Sequence, residues 1–411
     1  MRFFYTLGIH LYTIGIRIAA RCGHRNARLM VQGWASAEWN AANGEWVWFH
    51  AASLGEFEQA RPVIEAYRQR HPNRQILLTF FSPSGYEVRR TFPLADHIRY
   101  LPMDTPRNAR CLIDTYHPTA AFFVKYEFWY NYLDLLHRRS VPTYIFSAIF
   151  RPEQYFFKQP GRWFLKQLGR CFTHLFVQNE ESLKLLNLHS ISNASLAGDT
   201  RFDRVRQISI SDERDADVER WIATAPESKI LIAGSSWEPD EELIEQYLCD
   251  HKDNLRLILA PHVVSQAHIE HIGQTFRCRI VRYNELAASR LPESEDRVLL
   301  IDTIGILSKL YRYADVAYIG GGFGAGIHNT LEAIAFGKPV LFGPNYHKFQ
   351  EAHDLLAIGG GWSHHDYPTL DSHLTPLLSD TSAYARASQA CLQYMAKNLG
   401  STDKILNTIE K

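Results

Sequence analysis

The sequence contains no C-x-x-C pair, although it has six cysteines among 411 residues. Cysteines that stand far apart form neither a zinc-binding nor a redox motif, and they predict isolated buried thiols in a reducing compartment. The 19 histidines include no H-E-x-x-H motif and no pair at H-x₃-H spacing, which would place two imidazoles on one helix face. We therefore expect no catalytic metal and no cofactor.

An excess of charge of one sign is also missing, because 44 lysines and arginines balance 44 aspartates and glutamates. This balance argues against a dedicated nucleic-acid-binding protein, whose surface would be strongly basic. The sequence has no low-complexity tract and no internal repeat. Its composition, 46% hydrophobic and 21% charged, is typical of globular proteins, and its length favours two domains.

The longest apolar run, residues 3–16, contains His10 and ends at Arg17, short of the roughly 20 residues that span a bilayer. Its large apolar residues recur every three or four positions, as on one face of a helix. They are Phe3, Phe4, Leu7, Leu11, Ile14 and Ile18. With arginines near both ends, residues 1–28 are predicted to form a helix that associates with an anionic membrane surface. The alternative is a first core helix.

Beyond this helix, short apolar runs alternate with amphipathic helical patterns. The alternation favours an α/β fold with parallel sheets covered on both faces. A polar, charged stretch at 209–220 divides it, so we expect one Rossmann-like domain at 29–208 and a second at 209–411. The last helix is a candidate to pack back on the first domain. Strands are predicted at 46–50, 75–81, 120–124, 141–146, 174–178, 229–234, 255–261, 297–301, 316–320 and 339–342.

The segment 314–351 is rich in glycine just after a predicted strand. Gly320, Gly321 and Gly322 open a loop that leads to a helix predicted to begin near Asn329, with Glu332 three residues further on. A glycine loop that leads into a helix lets backbone N–H groups approach an anion, which favours a phosphate site. A helix with a capping box after a flexible turn is the alternative interpretation.

Carboxylates follow two predicted strands of the first half. Ser53, Gly55 and Glu56 come after the first strand, and Lys125 and Glu127 follow the strand at 120–124. A carboxylate at the carboxyl end of a strand is well placed to take a proton from a hydroxyl. The alternatives are a capping box, in which Ser53 is the N-cap and Glu56 the third helical residue, and a surface turn around Glu127.

Two further patterns carry less information by themselves. Pro261 and His262 follow another predicted strand, where a ligand loop would lie. The D-x-D match Asp215-Ala216-Asp217 falls in the polar stretch, where a solvated helix face is the expected interpretation.

Taken together, several blocks resemble the 3-deoxy-D-manno-octulosonic acid (Kdo) transferases of lipopolysaccharide assembly. The blocks occur in family order from residue 1 to about residue 355. They are the N-terminal apolar helix, HAASLGE, YEFWYN, VQNEES, GDTRFD, AGSSWEPDEE, DTIGILSKLYRYADVAYIGGG and HNTLEAIAFGKPVLFGP. The resemblance implies a GT-B fold, in which two Rossmann-like domains face a cleft. It also implies inverting, metal-independent transfer from CMP-Kdo to a lipid A precursor, lipid IVA, at the cytoplasmic face of the inner membrane.

The resemblance also implies roles for residues that match family motifs. Glu56 matches the catalytic base of S-x-G-E, with Ser53 and Gly55 beside it toward the acceptor. Glu127 matches the second acid of E-x-E-L-W-P-N and is the second catalytic candidate. Lys125 stands in place of the first acid of that motif and is an acceptor-binding candidate. The donor-binding candidates are Pro261, His262, Gly320, Gly321, Gly322, Asn329 and Glu332.

This sequence departs from the family at Tyr130, which replaces a proline, and at Pro261-His262, where the family commonly has Pro-Arg-His. The second departure leaves open another GT-B enzyme that uses a UDP-sugar, either an epimerase or an N-acetylglucosaminyl transferase. A membrane-tethered sugar-nucleotide-binding protein without catalysis is a further alternative. Retention of both carboxylates argues against it.

Overall fold

A computed structural model describes residues 2–35, 44–159, 161–251 and 254–410. The chain divides into two compact units, of which the first comprises Met1–Arg204 with Leu399–Lys411 and the second Val205–Asn398. Each unit contains one sheet of seven strands, and all paired strands run parallel. The α/β class predicted from the alternation of apolar runs and helical patterns is confirmed.

The sheet of the first unit has the strand order β3-β2-β1-β4-β5-β6-β7. Its strands are β1 Trp46–His50, β2 Gln75–Phe80, β3 His97–Tyr100, β4 Ala120–Val124, β5 Thr143–Ala148, β6 His174–Val177 and β7 Ala194–Leu196. The helices up to the unit boundary are α1 Arg2–Arg21, α2 Arg25–Ala35, α3 Leu54–Arg70, α4 Pro83–Arg89, α5 Pro106–Tyr116, α6 Tyr130–Arg138, α7 Arg162–Cys171, α8 Glu180–Leu188 and α9 Thr200–Ile210. The chain direction across the sheet reverses between β1 and β4, and ligands of such sheets bind at this point, beyond the carboxyl ends of the strands.

The sheet of the second unit has the order β10-β11-β9-β8-β12-β13-β14, which reverses between β8 and β12. Its strands are β8 Lys229–Ser236, β9 Leu255–Pro261, β10 Arg279–Arg282, β11 Asp296–Leu300, β12 Val316–Ile319, β13 Val340–Phe342 and β14 Gly361–Ser363. The helices that follow the boundary are α10 Ala216–Ala223, α11 Glu238–Asp250, α12 Gln266–Thr275, α13 Tyr283–Ala287, α14 Leu307–Leu310, α15 Leu331–Ile334, α16 Gln350–Ile358, α17 Tyr367–Ser379, α18 Thr381–Asn398 and α19 Ser401–Ile409. Short 3₁₀ turns occur at Tyr155–Phe157 and Tyr311–Tyr313.

The inner strands form because their residues are apolar on both faces and helices cover both faces of each sheet. Every residue of β1 and of β9 is buried. All ten strands predicted from the sequence are confirmed, with boundaries that shift by one or two residues. The four strands that the sequence did not reveal, β3, β7, β10 and β14, are the edges of the two sheets.

Helix α19 belongs to the first unit, although it ends the described chain. Ile405 and Leu406 join the apolar core beside α3. The Asp203 carboxylate accepts hydrogen bonds from the backbone N–H groups of Gly400 and Thr402, each at 2.7 Å. These contacts give Asp203, in the GDTRFD block, a structural role.

Helix α1 has two different faces. Ile16 is buried and packs with Ala27, Met30 and Met103 of the first unit. The opposite side carries an exposed apolar stripe, in which Phe3 is 72% and Phe4 70% exposed. The remaining members of this stripe are Leu7, Leu11, Ile14 and Ile18.

The length of α1 also differs from the expectation. The helix continues past Arg17 to Arg21, and its 20 residues are long and apolar enough, by length and composition, to cross a membrane. It is the one such helix in the described part of the chain. The sequence predicted a segment too short to span a membrane, whereas the helix is long enough to do so.

Candidate active site

The carboxylates predicted in the first half lie at the point where the first sheet reverses direction. Strands β1 and β4 are neighbours, with His50 paired to Phe123, so that the segments beyond their carboxyl ends start side by side. Ser53, Gly55 and Glu56 follow β1, while Lys125 and Glu127 follow β4. The structure thus brings the predicted acids and their neighbours into one region of the first unit.

Glu56 is the third residue of α3, and Ser53 is its N-cap. Oε2 of Glu56 accepts a hydrogen bond from the backbone N–H of Ser53 at 3.1 Å and a longer one from its hydroxyl at 3.4 Å. This is the reciprocal half of a capping box, which stabilises the first turn of a helix. The capping interpretation of Glu56 is therefore correct. If Glu56 is also a base, the same carboxylate has both roles.

The electrostatic surroundings of Glu56 make its carboxylate more basic. Burial, followed by the negative charge of Glu127, raises the pKa of Glu56 to about 7. Backbone N–H groups at Ala52 and Ser53 and the ammonium of Lys125 act in the opposite direction. A carboxylate whose pKa lies near neutral pH is suited to general acid–base work.

The Glu127 carboxylate is held by two side chains, those of Trp129 and His50. Its Oε2 accepts a hydrogen bond from the indole N–H of Trp129 at 2.5 Å and lies 3.2 Å from Nε2 of His50. The Glu127 side chain is only 12% exposed. A surface turn does not describe this arrangement, because the carboxylate is enclosed and oriented.

His50 is a residue of this site that the sequence did not single out. It is fully buried, and its Nδ1 lies 2.8 Å from the hydroxyl and 3.2 Å from the carbonyl of Thr79 on the neighbouring strand β2. The sequence contained one sign of its importance: His50 is the polar last residue of the apolar run WVWFH, at the end of a strand. Burial with both ring nitrogens satisfied fixes the imidazole against Glu127.

Lys125 has a left-handed backbone conformation, with φ of 63°, immediately after β4. Such a conformation is uncommon for a residue with a side chain and occurs often at functional sites. The Lys125 ammonium lies 5.8 Å from the centre of the Tyr126 ring. Gly55 is exposed at the start of α3, and a Cβ there would meet nothing within 4 Å.

The glycine loop of the second unit follows β12, beside the end of β8. A Cβ on Gly320 would lie 2.3 Å from the carbonyl oxygen of Ser235, and one on Gly322 would lie 2.5 Å from Cα of Gly343. Gly321 has a φ of 92°. Close backbone packing and this conformation account for three glycines, so their number is not by itself evidence of a ligand.

Asp240 fixes this loop, and the sequence did not single it out. Its carboxylate accepts hydrogen bonds from the backbone N–H of Gly321 at 3.0 Å and from the Tyr318 hydroxyl at 2.9 Å. It also caps α11 by accepting from the N–H of Trp237 at 3.0 Å. One N–H of the glycine loop is therefore already engaged within the protein.

The helix expected to begin near Asn329 is shorter and begins later. Helix α15 comprises only Leu331–Ile334, with Thr330 as its N-cap. Oδ1 of Asn329 accepts from the N–H of Leu331 at 3.1 Å, and its Nδ2 donates to Glu332 at 3.0 Å. Asn329 and Glu332 are thus hydrogen-bonded to each other, but one helical turn does not provide a substantial helix dipole.

His262 lies in a stack of three aromatic rings. Its ring centre is 4.8 Å from that of Trp237 and 4.4 Å from that of His328, with interplanar angles near 25°. Burial, and then His262, lower the pKa of His328. Pro261 ends β9, which pairs with β8, so the stack lies at the carboxyl ends of neighbouring strands.

The described residues contain no group of three or more His, Cys, Asp or Glu side chains that could hold a metal ion. In the D-x-D match, Asp215 caps α10 by accepting hydrogen bonds from the backbone N–H groups of Asp217 and Val218. This is a structural use of the motif.

Comparison with known proteins places the first unit in a family. The family model described as 3-deoxy-D-manno-octulosonic-acid transferase (kdotransferase) matches residues 18–204. A 3-deoxy-D-manno-octulosonic acid transferase of Aquifex aeolicus is 27% identical over 342 residues, which cover 81% of this chain and 86% of that one. The transferase of Bordetella pertussis is 27% identical over 380 residues and covers 89% and 86%. Residues 18–204 thus match the Kdo transferase model, and most of the chain is similar to curated Kdo transferases.

Solved structures with the same fold match both units of this chain. The UDP-GlcNAc 2-epimerase of Neisseria meningitidis has a TM-score of 0.62 and 14% identity over 89% of this chain and 99% of that one. A glycosyltransferase of Rickettsia africae has a TM-score of 0.58 and 12% identity over 89% and 98%. At such identities the likeness establishes the fold alone. The predicted GT-B fold is confirmed.

Proposed function

We propose that this Kdo transferase moves Kdo from CMP-Kdo to lipid IVA with inversion, that Glu56 is the general base, and that the protein acts at the cytoplasmic face of the inner membrane. The observation that carries the proposal is the Glu56 carboxylate, which has a raised pKa beside Glu127. Both residues lie within the stretch that the family model covers. The family resemblance is the basis for the choice of donor and acceptor.

The proposed transfer needs only the two substrates and one proton acceptor from the protein. The oxygen of an acceptor hydroxyl attacks the anomeric carbon of Kdo from the face opposite the phosphate. The bond from that carbon to the phosphate oxygen breaks, CMP leaves with the electron pair, and the hydroxyl proton passes to the Glu56 carboxylate. Burial of Glu56 supports this role, because it raises the proton affinity of the carboxylate.

We place Glu127 in an orienting and electrostatic role. Trp129 and His50 hold its carboxylate, and its negative charge is what raises the pKa of Glu56 after burial. Lys125 limits this effect from the same segment. Ser53 and Gly55 lie at the amino end of α3, where a small, exposed backbone would let an acceptor hydroxyl approach Glu56.

The donor is assigned to the second unit. Its phosphate would lie beside Gly320–Gly322, since a backbone without Cβ atoms permits close approach of an anion. The ring of His328 borders this loop, because a Cβ on Gly321 would lie 3.0 Å from it. His262 stacks on His328, which places its ring near this loop. This position supports a contact from His262 to the donor, at the point in the sequence where the family commonly has an arginine.

Replacing Asn329 or Glu332 by alanine should weaken nucleotide binding more than it slows the saturated rate. In the proposed site each side chain bonds the nucleotide, and loss of one such hydrogen bond costs about 0.5–3 kcal/mol, or roughly 2- to 150-fold in the dissociation constant. The measurement is the rise in melting temperature caused by CMP, compared with UDP. We expect CMP to protect the wild-type protein and UDP to protect it little.

The matched control is Asn284→Ala, which removes a hydrogen bond to the Asp302 carbonyl after the edge strand β10 of the same unit. It should leave CMP protection unchanged. Unchanged CMP affinity in Asn329→Ala and Glu332→Ala would move the nucleotide elsewhere. Protection by UDP in preference to CMP would favour the UDP-sugar alternative.

The membrane part of the proposal depends on α1. Its exposed apolar stripe, from Phe3 to Ile18, is typical of a surface that binds a membrane, and Arg17 and Arg21 lie at the carboxyl end of the helix. Such a helix binds an anionic leaflet through apolar burial and charge. This location would hold the active site near an acceptor whose acyl chains stay in the bilayer.

A further inference from the structure

Helix α1 is hydrogen-bonded to the segment that follows Glu127, and to Asp104. The Tyr5 hydroxyl donates to Oδ2 of Asp104 at 2.7 Å, and it accepts from the backbone N–H of Tyr130 at 3.3 Å. One residue further, the Thr6 hydroxyl accepts from Nδ2 of Asn131 at 3.4 Å. The exposed stripe and these contacts lie on different sides of the same helix.

Asp104 connects these groups in the interior of the first unit. It is fully buried, and its carboxylate accepts from the backbone N–H groups of Asn131 and Tyr132, both at 3.0 Å. These are N–H groups of the first turn of α6, which have no partner within the helix. Trp129, the N-cap residue, makes no side-chain cap. Asp104, held in turn by Tyr5, takes over that function.

The start of α6 determines where Trp129 lies. The Trp129 indole N–H reaches Oε2 of Glu127 at 2.5 Å and Nε2 of His50 at 3.0 Å. A shift of α6 by a fraction of a turn would carry Trp129 with it and release the Glu127 carboxylate. Hydrogen bonds therefore connect Tyr5 to Asp104 and Asp104 to the first turn of α6, and the backbone connects that turn to Trp129, which bonds Glu127.

We propose that Tyr5 and Asp104 form a latch by which the N-terminal helix holds the segment Lys125–Trp129 in its working position. Tyr5 is then a positioning residue for the transfer reaction, in addition to lying on the helix that meets the membrane. This inference rests on the proposed function, because it uses the role of Glu127 beside Glu56.

The latch has a minimal test in Tyr5→Phe, which removes one hydroxyl. The ring keeps its contacts with Tyr130 and Phe164, whose ring centres lie at 5.6 and 6.1 Å. We expect amide hydrogen exchange at residues 130–132 to become at least about tenfold faster, since the lost bond is made to a buried carboxylate. We expect kcat to fall about tenfold as well, with the donor KM and binding to vesicles unchanged.

The matched control is Tyr12→Phe, the same change on the same helix at a residue that is 54% exposed. It should leave exchange at residues 130–132 and kcat at the wild-type values. Thr6→Val is a second variant, expected to speed exchange at Asn131 less than Tyr5→Phe does, because it removes only the longer bond at 3.4 Å.

Three results would overturn the latch: exchange in Tyr5→Phe equal to that in Tyr12→Phe, faster exchange without any loss of kcat, or faster exchange throughout the first unit with a matching drop in melting temperature. Absence of Kdo transfer by the wild-type protein is a different failure. It would remove the proposed function, while the exchange measurement at residues 130–132 would still report whether Tyr5 holds α6.

Discussion

Replacing Glu56 by glutamine should reduce Kdo transfer by about 10²–10⁴-fold, which is the usual contribution of a general base. Glutamine has the same shape, and its carbonyl oxygen can still accept the hydrogen bond from the N–H of Ser53, so the capping of α3 persists. The substitution therefore separates the two roles of this side chain. Single-turnover rates, melting temperature and CMP binding are the quantities to measure, and the last two should stay close to wild type.

The pH profile adds a second readout to this variant. Because the pKa of Glu56 is raised to about 7, the carboxylate is protonated and inactive as a base below that pH. The wild-type kcat/KM should rise as the pH increases through about 7, and the residual rate of Glu56→Gln should lack this limb. Glu65→Gln, on the same helix in a half-buried pair with Arg61, is the control and should behave as wild type. Near-normal turnover in Glu56→Gln would leave Glu56 as a cap only.

Replacing four residues of the exposed stripe by glutamine, Phe4, Leu7, Leu11 and Ile14, should release the protein from anionic vesicles. Each apolar side chain that leaves water contributes about 1.5–3 kcal/mol, and about 1.4 kcal/mol corresponds to tenfold in affinity. The combined loss should far exceed tenfold. Flotation with liposomes measures binding, and activity should persist on acceptor dispersed in detergent but fall on acceptor embedded in liposomes.

This variant is a sharper test than deletion of residues 1–20, because deletion would also remove Ile16 from the core and Tyr5 from Asp104. A control with Tyr12→Gln alone changes one exposed residue of α1 outside the stripe and should retain vesicle binding. Unchanged flotation of the fourfold variant would rule out the stripe as the membrane contact. Raised salt should weaken wild-type binding only in part, since apolar contacts are not screened.

The strands that were predicted from the sequence and those that were missed differ in their position within the sheet. β1 and β9 are buried throughout, so their residues are continuously apolar and stand out in the sequence. β7 and β10 are sheet edges whose residues are mostly exposed or half-buried, and β14 has only three residues. An edge strand has one paired neighbour and less apolar burial, which leaves little pattern to detect.

The placement of the candidate residues was predictable where a strand end and a recognisable motif coincide, as at Glu56 and Glu127. The glycine loop shows the limit of such patterns. Gly320 and Gly322 are required by contacts with Ser235 and Gly343, which are distant in sequence, so a ligand was not needed to explain them. The sequence likewise gave no sign that α15 would be limited to a single turn, because the Asn329–Glu332 spacing is typical of a longer helix.

The roles of His50, Asp240 and Asp104 could not be predicted from the sequence for a related reason. Each is a single polar residue whose partners come from other elements: Thr79 on β2, Gly321 after β12 and Tyr5 on α1. A lone buried polar residue is most often satisfied by tertiary hydrogen bonds, and no local spacing identifies which ones. Their roles become visible only when the sheet order brings the partners together.

The most direct test of the account is transfer itself. The intact protein is incubated with CMP-Kdo and a tetraacylated lipid A precursor in detergent, and the lipid product is analysed by mass spectrometry. The account predicts a lipid whose mass has increased by one or more Kdo residues, with release of CMP and without added metal. Unmodified lipid with CMP-Kdo, together with turnover of a UDP-sugar under the same conditions, would contradict it.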